Sequence, residues 1–106
     1  MLNVPHITIS EAAIADFCGR HHIRKLALFG SVLREDFTPD SDIDVLVEFE
    51  PDHTPGLAFF AIQEELSGIL GRDVDLLTFK EVRSMDNYIR RRHILNTTRT
   101  IYDVAG

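Results

Sequence analysis

The stretch Gly30-Ser31-Val32-Leu33-Arg34-Glu35-Asp36-Phe37-Thr38-Pro39-Asp40-Ser41-Asp42-Ile43-Asp44-Val45-Leu46-Val47-Glu48-Phe49 decides how the rest of the chain is read. Its second half, Asp42 to Phe49, alternates apolar and other residues and is rich in Val and Ile, which predicts a strand. Successive strand side chains point to opposite faces, so Asp42 and Asp44 share one face while Ile43, Val45, Val47 and Phe49 fill the other. Two strand rises separate the aspartates by about 6.5 Å at the backbone, close enough for their oxygens to converge on one divalent ion or on a pair about 3.5–4 Å apart. Two like charges side by side repel beside a core unless a cation offsets them. The donors are hard oxygens, which suit Mg²⁺ or Mn²⁺. The plainer reading is a solvated strand start whose aspartates cap the preceding loop.

Upstream, Ile23 to Phe29 reads as another strand and runs into Gly30-Ser31. Gly30 admits backbone angles that other residues avoid and lets a ligand approach the main chain. A helix starting at Ser31 and ending before Pro39 would aim free N–H groups and a dipole at an anion, and Ser31 adds a hydroxyl donor. Taken alone, Gly-Ser is an ordinary strand-to-helix turn. Next to a carboxylate pair it becomes one half of what a metal–nucleoside triphosphate needs.

Gly30-Ser31, Arg34, Asp36, Ser41-Asp42 and Asp44 together resemble the G-S-x-x-R-x-D…S-D-x-D pattern of the polymerase-β-like nucleotidyltransferases, most closely their minimal branch, the MNT-type proteins. The resemblance runs over nearly the whole chain. It implies an α/β (α+β) fold with a small mixed sheet of three to four strands packed with helices. It also implies a third carboxylate on the strand after the central helix, in a V-D-L context that Val74-Asp75-Leu76 matches, with Asp73 as the fallback. Asp42, Asp44 and Asp75 are then the catalytic and metal-binding set, and Gly30, Ser31, Arg34 and Ser41 the nucleotide-binding set. Arg34 has two readings, a contact to triphosphate or a pair with a nearby carboxylate that fixes the loop. For Asp36 the structural role is preferred. Leu33 and Glu35 depart from the usual wording of the family, which has Ala and Gly there; Glu35 would weaken ATP binding if it pointed into the cradle.

Bulk properties set the frame. A chain of 106 residues, 44% hydrophobic and 26% charged, predicts one domain with a single modest core, over residues 1–106. No apolar run approaches the roughly 18 residues of a membrane span. The beginning of the chain carries no secretory pattern, and Cys18 is the only cysteine, which excludes an internal disulfide and a cysteine-based zinc site. A cytoplasmic location follows as the expectation. A formal charge of −6 argues against direct nucleic-acid binding. Arg90-Arg91-Arg92-His93 is the one dense basic patch, expected to be the solvated face of a helix rather than a contact to RNA or an acidic partner.

Along the chain, residues 8–22 predict a helix with Thr8 and Glu11 as a capping box and Ile14, Phe17 and Cys18 inward. His21-His22 falls at its solvated exit; adjacent histidines on a helix cannot face one metal. Thr54-Pro55 predicts the start of a second helix whose stripe of Leu57, Phe59, Phe60, Ile62, Leu66, Ile69 and Leu70 packs across the sheet and is closed by Gly71. Arg72 to Leu77 is the next strand, in a strand–helix–strand run that suits a parallel crossover. Thr78 with Glu81 opens a short helix, Met85 to Leu95 a longer one with Ile89 and Leu95 buried, and the tail to Val104 supplies a last edge strand.

With that site the reaction is transfer of a nucleotide: a hydroxyl attacks the α-phosphate of ATP and pyrophosphate leaves, with two divalent ions at the carboxylates and Asp75 a candidate base. A chain this short leaves little room to hold an acceptor, so the acceptor brings its own surface or copies of the chain share one in a homo-oligomer. The MNT resemblance implies a HEPN-type ribonuclease toxin as partner, adenylylated on a tyrosine. Two other readings stay open: an antitoxin or scaffold that neutralises by binding alone, and a small-molecule nucleotidyltransferase with its acceptor site at a dimer interface.

Overall fold

A computed structural model of the chain describes residues 2–4 and 6–104. Two short strands, β1 (Leu2–Val4) and β2 (Ile7–Ile9), pair antiparallel as a hairpin. Then follow α1 (Glu11–Arg20), β3 (Ile23–Phe29), a 3₁₀ turn (Gly30–Leu33), β4 (Ile43–Phe49), a second 3₁₀ turn (Gly56–Ala58), α2 (Phe59–Leu70), β5 (Val74–Thr78), α3 (Phe79–Arg83), α4 (Tyr88–Asn96) and β6 (Arg99–Asp103). The main sheet has the order β5-β4-β3-β6. β3 runs antiparallel to both neighbours, whereas β4 and β5 are parallel, joined by α2 as the alternation of strand and helix predicts.

Both faces of this mixed sheet are covered. On one, Leu26, Leu28, Ile43, Val45, Val47, Val74 and Leu76 meet Ile14 and Phe17 of α1, Ile62 and Leu66 of α2, and Ile9 of the hairpin. On the other, Ala27, Phe29 and Leu46 meet Phe79, Val82 and Ile94 of α3 and α4. Central strands buried on both sides read as near-continuous apolar runs, and this is why Leu26-Ala27-Leu28-Phe29 and Val45-Leu46-Val47 show so little polar alternation. The outer edge of β5 is closed by side chains of α2: Ser67 Oγ accepts from Val74 N–H at 3.0 Å and Gln63 Oε1 from Leu76 N–H at 3.0 Å. These two N–H groups are thereby withheld from pairing with a foreign strand. Cys18 lies in the first core, where burial pushes its thiol up to about 12, a packed and unreactive cysteine.

Several local expectations are corrected. Thr8 lies in β2, and α1 starts later, capped by Ser10, whose hydroxyl accepts from Ala13 N–H. Thr54 caps no helix; the 3₁₀ turn intervenes and α2 begins at Phe59. That delay rotates the stripe, leaving Leu57 93% and Phe60 70% exposed while Ile62 and Leu66 are buried. Ile89 is 75% exposed, and Ile94 is the buried anchor of α4. The helix expected from Ser31 is only the four-residue 3₁₀ turn. Gly71 does close α2, at φ 71° with its N–H on Ser67 O. Thr78 caps α3 by accepting from Glu81 N–H at 2.9 Å.

Leu46 is fully buried between the sheet and α3/α4, so Leu46→Ala should destabilise the chain by about 2–5 kcal/mol, whereas Leu57→Ala should change stability by less than about 0.5 kcal/mol. Urea denaturation of both variants checks the contrast.

Candidate active site

β4 and β5 pair in parallel with Asp44 directly beside Asp75. Neighbouring strands lie about 4.8 Å apart, so the two carboxylates leave the sheet side by side. Leu46, two residues beyond Asp44, enters the α3/α4 core, and Leu77, two beyond Asp75, packs against it. Both aspartates therefore stand on that face, where the helical cover ends. Asp44 is half-buried and Asp75 exposed; Asp42, also exposed, lies just ahead of β4. Burial first, then the Asp75 and Asp42 carboxylates, push the Asp44 carboxyl above its usual range, while Arg34 and Arg90 pull it back. The Asp73 carbonyl accepts from Ile43 N–H at 2.8 Å, anchoring the strand start.

Gly30 faces Asp44 from the end of β3. Its φ is 77°, and a Cβ built on it would overlap Asp44 Oδ2. Glycine is required twice here, by the left-handed backbone and by the space that the carboxylate occupies. Ser31 is half-buried beside it, with its carbonyl accepting from Arg34 N–H at 2.9 Å. A 3₁₀ turn this short lacks the aligned peptides of an α-helix, so the cradle rests on the Gly30 opening and on side chains rather than on a helix dipole.

The loop that follows is braced by its own polar residues. Arg34 pairs with Asp36, Nε to Oδ1 at 3.1 Å, and this hydrogen bond foremost holds the Asp36 carboxyl below its usual range. The structure thus gives Asp36 the structural role expected for it, and Arg34 a carboxylate partner while it still lines the cleft beside Asp44. Ser41 Oγ accepts from Thr38 N–H at 3.0 Å and lies 3.1 Å from Thr38 Oγ1, so its hydroxyl closes the turn. Arg72 donates to the carbonyls of Thr38 and Pro39 and stacks over Phe37. His6 of the hairpin stacks on the other residue of that pair, Phe37, and hydrogen-bonds Arg34 O at 2.6 Å. Glu35 is exposed and does not line the Asp44 cleft.

Two clefts flank the aspartates. One of about 250 Å³ is lined by Gly30, Arg34, Asp44, Arg90, His93 and Thr97 among others. The second, about 610 Å³, is lined by Asp40, Ser41, Asp42, Ser67, Arg72 and Asp73 among others. Arg90 is exposed, as expected of the solvated face, yet with His93 it also lines the Asp44 cleft, a placement that sequence reasoning missed. Arg91 is the one that departs from the solvated face, half-buried and donating to Met85 O, whereas exposed Arg92 donates to Tyr88 OH. The missed signal was helical spacing around Ile94: Arg90, four residues earlier, shares the face of the one fully buried residue of α4. Among the described residues the three aspartates do not close to within 4.8 Å of one another, as one other group does.

With this geometry in hand, comparison with known proteins fixes the family. The nucleotidyltransferase domain model matches residues 11–98, and the chain belongs to that family. It is 38% identical over 66 residues to the protein adenylyltransferase MntA of Thermococcus cleftensis, across 61% of this chain and 65% of that one. For two further relatives, from Methanocaldococcus jannaschii, the match spans 66% and 58% of their length, so the chain aligns with less than two thirds of them. Among solved structures, a proposed minimal nucleotidyltransferase superposes with a TM-score of 0.62 at 32% identity, over 83% of this chain and 85% of that one. The MNT antitoxin complex with a tri-AMPylated HEPN toxin of Shewanella oneidensis matches with a TM-score of 0.58 at 22% identity, over 90% and 71%, and shows the shared fold.

A carboxyl whose folded-state value is raised is ionised at a cost in the native state: stability is fullest below the unfolded value near 4 and declines as pH rises through the raised one. In metal-free buffer Asp44→Asn should therefore melt at or above the parent temperature at pH 7, with the difference shrinking toward pH 4. Thermal melts across that range in chelator check the sign.

Proposed function

We propose that this chain is a protein adenylyltransferase that moves AMP from ATP to a hydroxyl, and that the acceptor is a tyrosine of a HEPN-type toxin. The observation that carries the reading is the in-register pair Asp44–Asp75 with Gly30 opened against it. Asp42, Asp44 and Asp75 form an all-oxygen donor set that suits Mg²⁺ or Mn²⁺, and the glycine leaves the space in which Asp44 can serve as a ligand. Bound there, one or two ions would neutralise the triphosphate and lower the pKa of the attacking hydroxyl.

The chain's own groups do the rest. Gly30 lets the polyphosphate approach the main chain, Ser31 donates its hydroxyl, and Arg34 and Arg90 set positive charge on either side of the Asp44 cleft. Ser41 orders the loop that carries Asp42. Asp75, exposed on the edge strand, would receive the proton of the acceptor hydroxyl as its oxygen bonds to the α-phosphorus and the bond to pyrophosphate breaks. We read residues 1–106 as one such domain, acting in the cytoplasm where ATP is supplied.

A macromolecular acceptor is favoured by the surface beside the cleft. Tyr88 and Ile89 are 56% and 75% exposed, and with His93 they line a shallow depression; His93 also lines the Asp44 cleft. Apolar side chains left bare next to a site are suited to contact with a protein. The toxin named in the structural relative supports that choice.

Incubated with its toxin partner, ATP and Mg²⁺, the chain should add whole AMP units to that partner, read by intact mass, and Asp42→Asn/Asp44→Asn should add none. A stable complex without added mass would instead mark a binding antitoxin. In the same assay Ile89→Asp should raise the KM for the protein acceptor with little change in ATP affinity, whereas Arg90→Gln should weaken ATP binding by about 1–3 kcal/mol if it contacts charged phosphate. Equal effects of the two variants on ATP would place Ile89 in the nucleotide site and remove the docking role.

A further inference from the structure

His22, Glu50 and His53 gather at the other end of the β3–β4 pair, and each offers a ligand atom within 4.8 Å of the others. The main chain sets their positions. His22 holds a left-handed backbone, φ 55°, at the exit of α1, a conformation that His tolerates better than most residues. Glu50 N–H donates to His22 O at 2.8 Å, and His53 N–H to Glu50 O at 3.1 Å, closing a turn in which Asp52 is also left-handed at φ 67°. The two imidazoles stack with centroids 3.9 Å apart and planes 16° from parallel, and His22 Nδ1 lies 3.4 Å from Glu50 Oε2.

Two imidazole nitrogens and one carboxylate oxygen are a different donor set from the three aspartates: they suit a late first-row divalent ion, not Mg²⁺. Both histidines are exposed and Glu50 is half-buried, so an ion can enter from solvent. Parallel rings place a shared ion out of both planes; rotation about the broad χ2 well of each exposed histidine opens the stack toward it.

We propose that His22, Glu50 and His53 form a zinc-type site with a fourth position open to water or to a ligand from a partner. An ion there would tie the α1–β3 turn to the loop between β4 and α2. From Glu50 back to Asp44 the extended strand spans roughly 20 Å, so the two sites take up ions independently.

Zn²⁺ titrated calorimetrically into tag-free protein, with Mg²⁺ in excess to saturate the aspartates, tests the site. One equivalent should bind, and His22→Asn, Glu50→Gln and His53→Ala should each weaken it more than about tenfold, a loss that even outer partners of a metal ligand produce. His22→Asn keeps a residue that accepts the left-handed backbone. His21→Ala should leave binding intact, because His21 pairs with Glu65 at 2.9 Å. Zn²⁺ should also raise the melting temperature of the parent and not of His53→Ala. No Zn²⁺ uptake, uptake that Mg²⁺ displaces, or uptake unchanged in His22→Asn and His53→Ala would each overturn the proposal.

Discussion

Two carboxylates forced side by side at the end of a buried sheet are the constraint that the rest of the structure serves. Asp44 and Asp75 repel, and Asp44 is partly withdrawn from water, so the pair raises the energy of the folded chain unless positive charge arrives. The fold holds them there because their strand neighbours leave no choice. Ile43 and Val45 flank Asp44 inside one core, and Leu46 enters the other. Shifting β4 by one residue would turn those side chains out of their cores and Asp44 in, at a cost far above that of the repulsion. Buried hydrophobic area thus fixes the position of a group that opposes folding, as expected where a site stores strain for a ligand to relieve.

The same logic explains how much of the molecule was legible beforehand. Strands β3, β4 and β5 were readable because they carry apolar runs between turn signals; Asp44 and Val74-Asp75-Leu76 fall inside them, with Asp42 just ahead of β4. The parallel crossover through α2 was suggested by the length of the run, whereas the register that sets Asp44 beside Asp75 is seen only in the structure. Legibility failed where short-range signals competed. Thr8 has the capping-box partner Glu11 three residues on, but pairing of Ile7–Ile9 with Leu2–Val4 holds Thr8 in a strand and leaves the cap to Ser10. Pro55 suits a helix start by its own angles, yet Gly56 at φ 60° holds the chain in a tighter turn until Phe59.

The α4 helix shows the failure that mattered most for function. Its sequence Tyr88-Ile89-Arg90-Arg91-Arg92-His93-Ile94-Leu95-Asn96 has two isoleucines five residues apart, and periodicity cannot say which one is inside. Choosing Ile89 turns Arg90 away from the sheet. Choosing Ile94 brings Arg90 and His93 to the Asp44 cleft. The decision is made by Ala27, Phe29 and Leu46 on the sheet, which with α3 form the socket that Ile94 fills. That socket is a tertiary fact, and no local propensity encodes it.

Because Ile94 takes that socket, one helix presents two chemistries at once. Arg90 is close enough to Asp44 to lower its carboxyl, and Ile89, one residue earlier, is turned about 100° away into solvent. A body that covers Tyr88 and Ile89 must therefore rest at the rim of the cleft, beside His93. A small acceptor would gain nothing from that bare apolar rim. A folded partner would bury it and, in the same contact, bring a side-chain hydroxyl to the mouth of the cleft where Asp44 and Arg90 face each other. The docking surface and the charge on the nucleotide would then be set by adjacent residues of a single rigid element, so that binding the partner and aligning the reaction become one geometrical event.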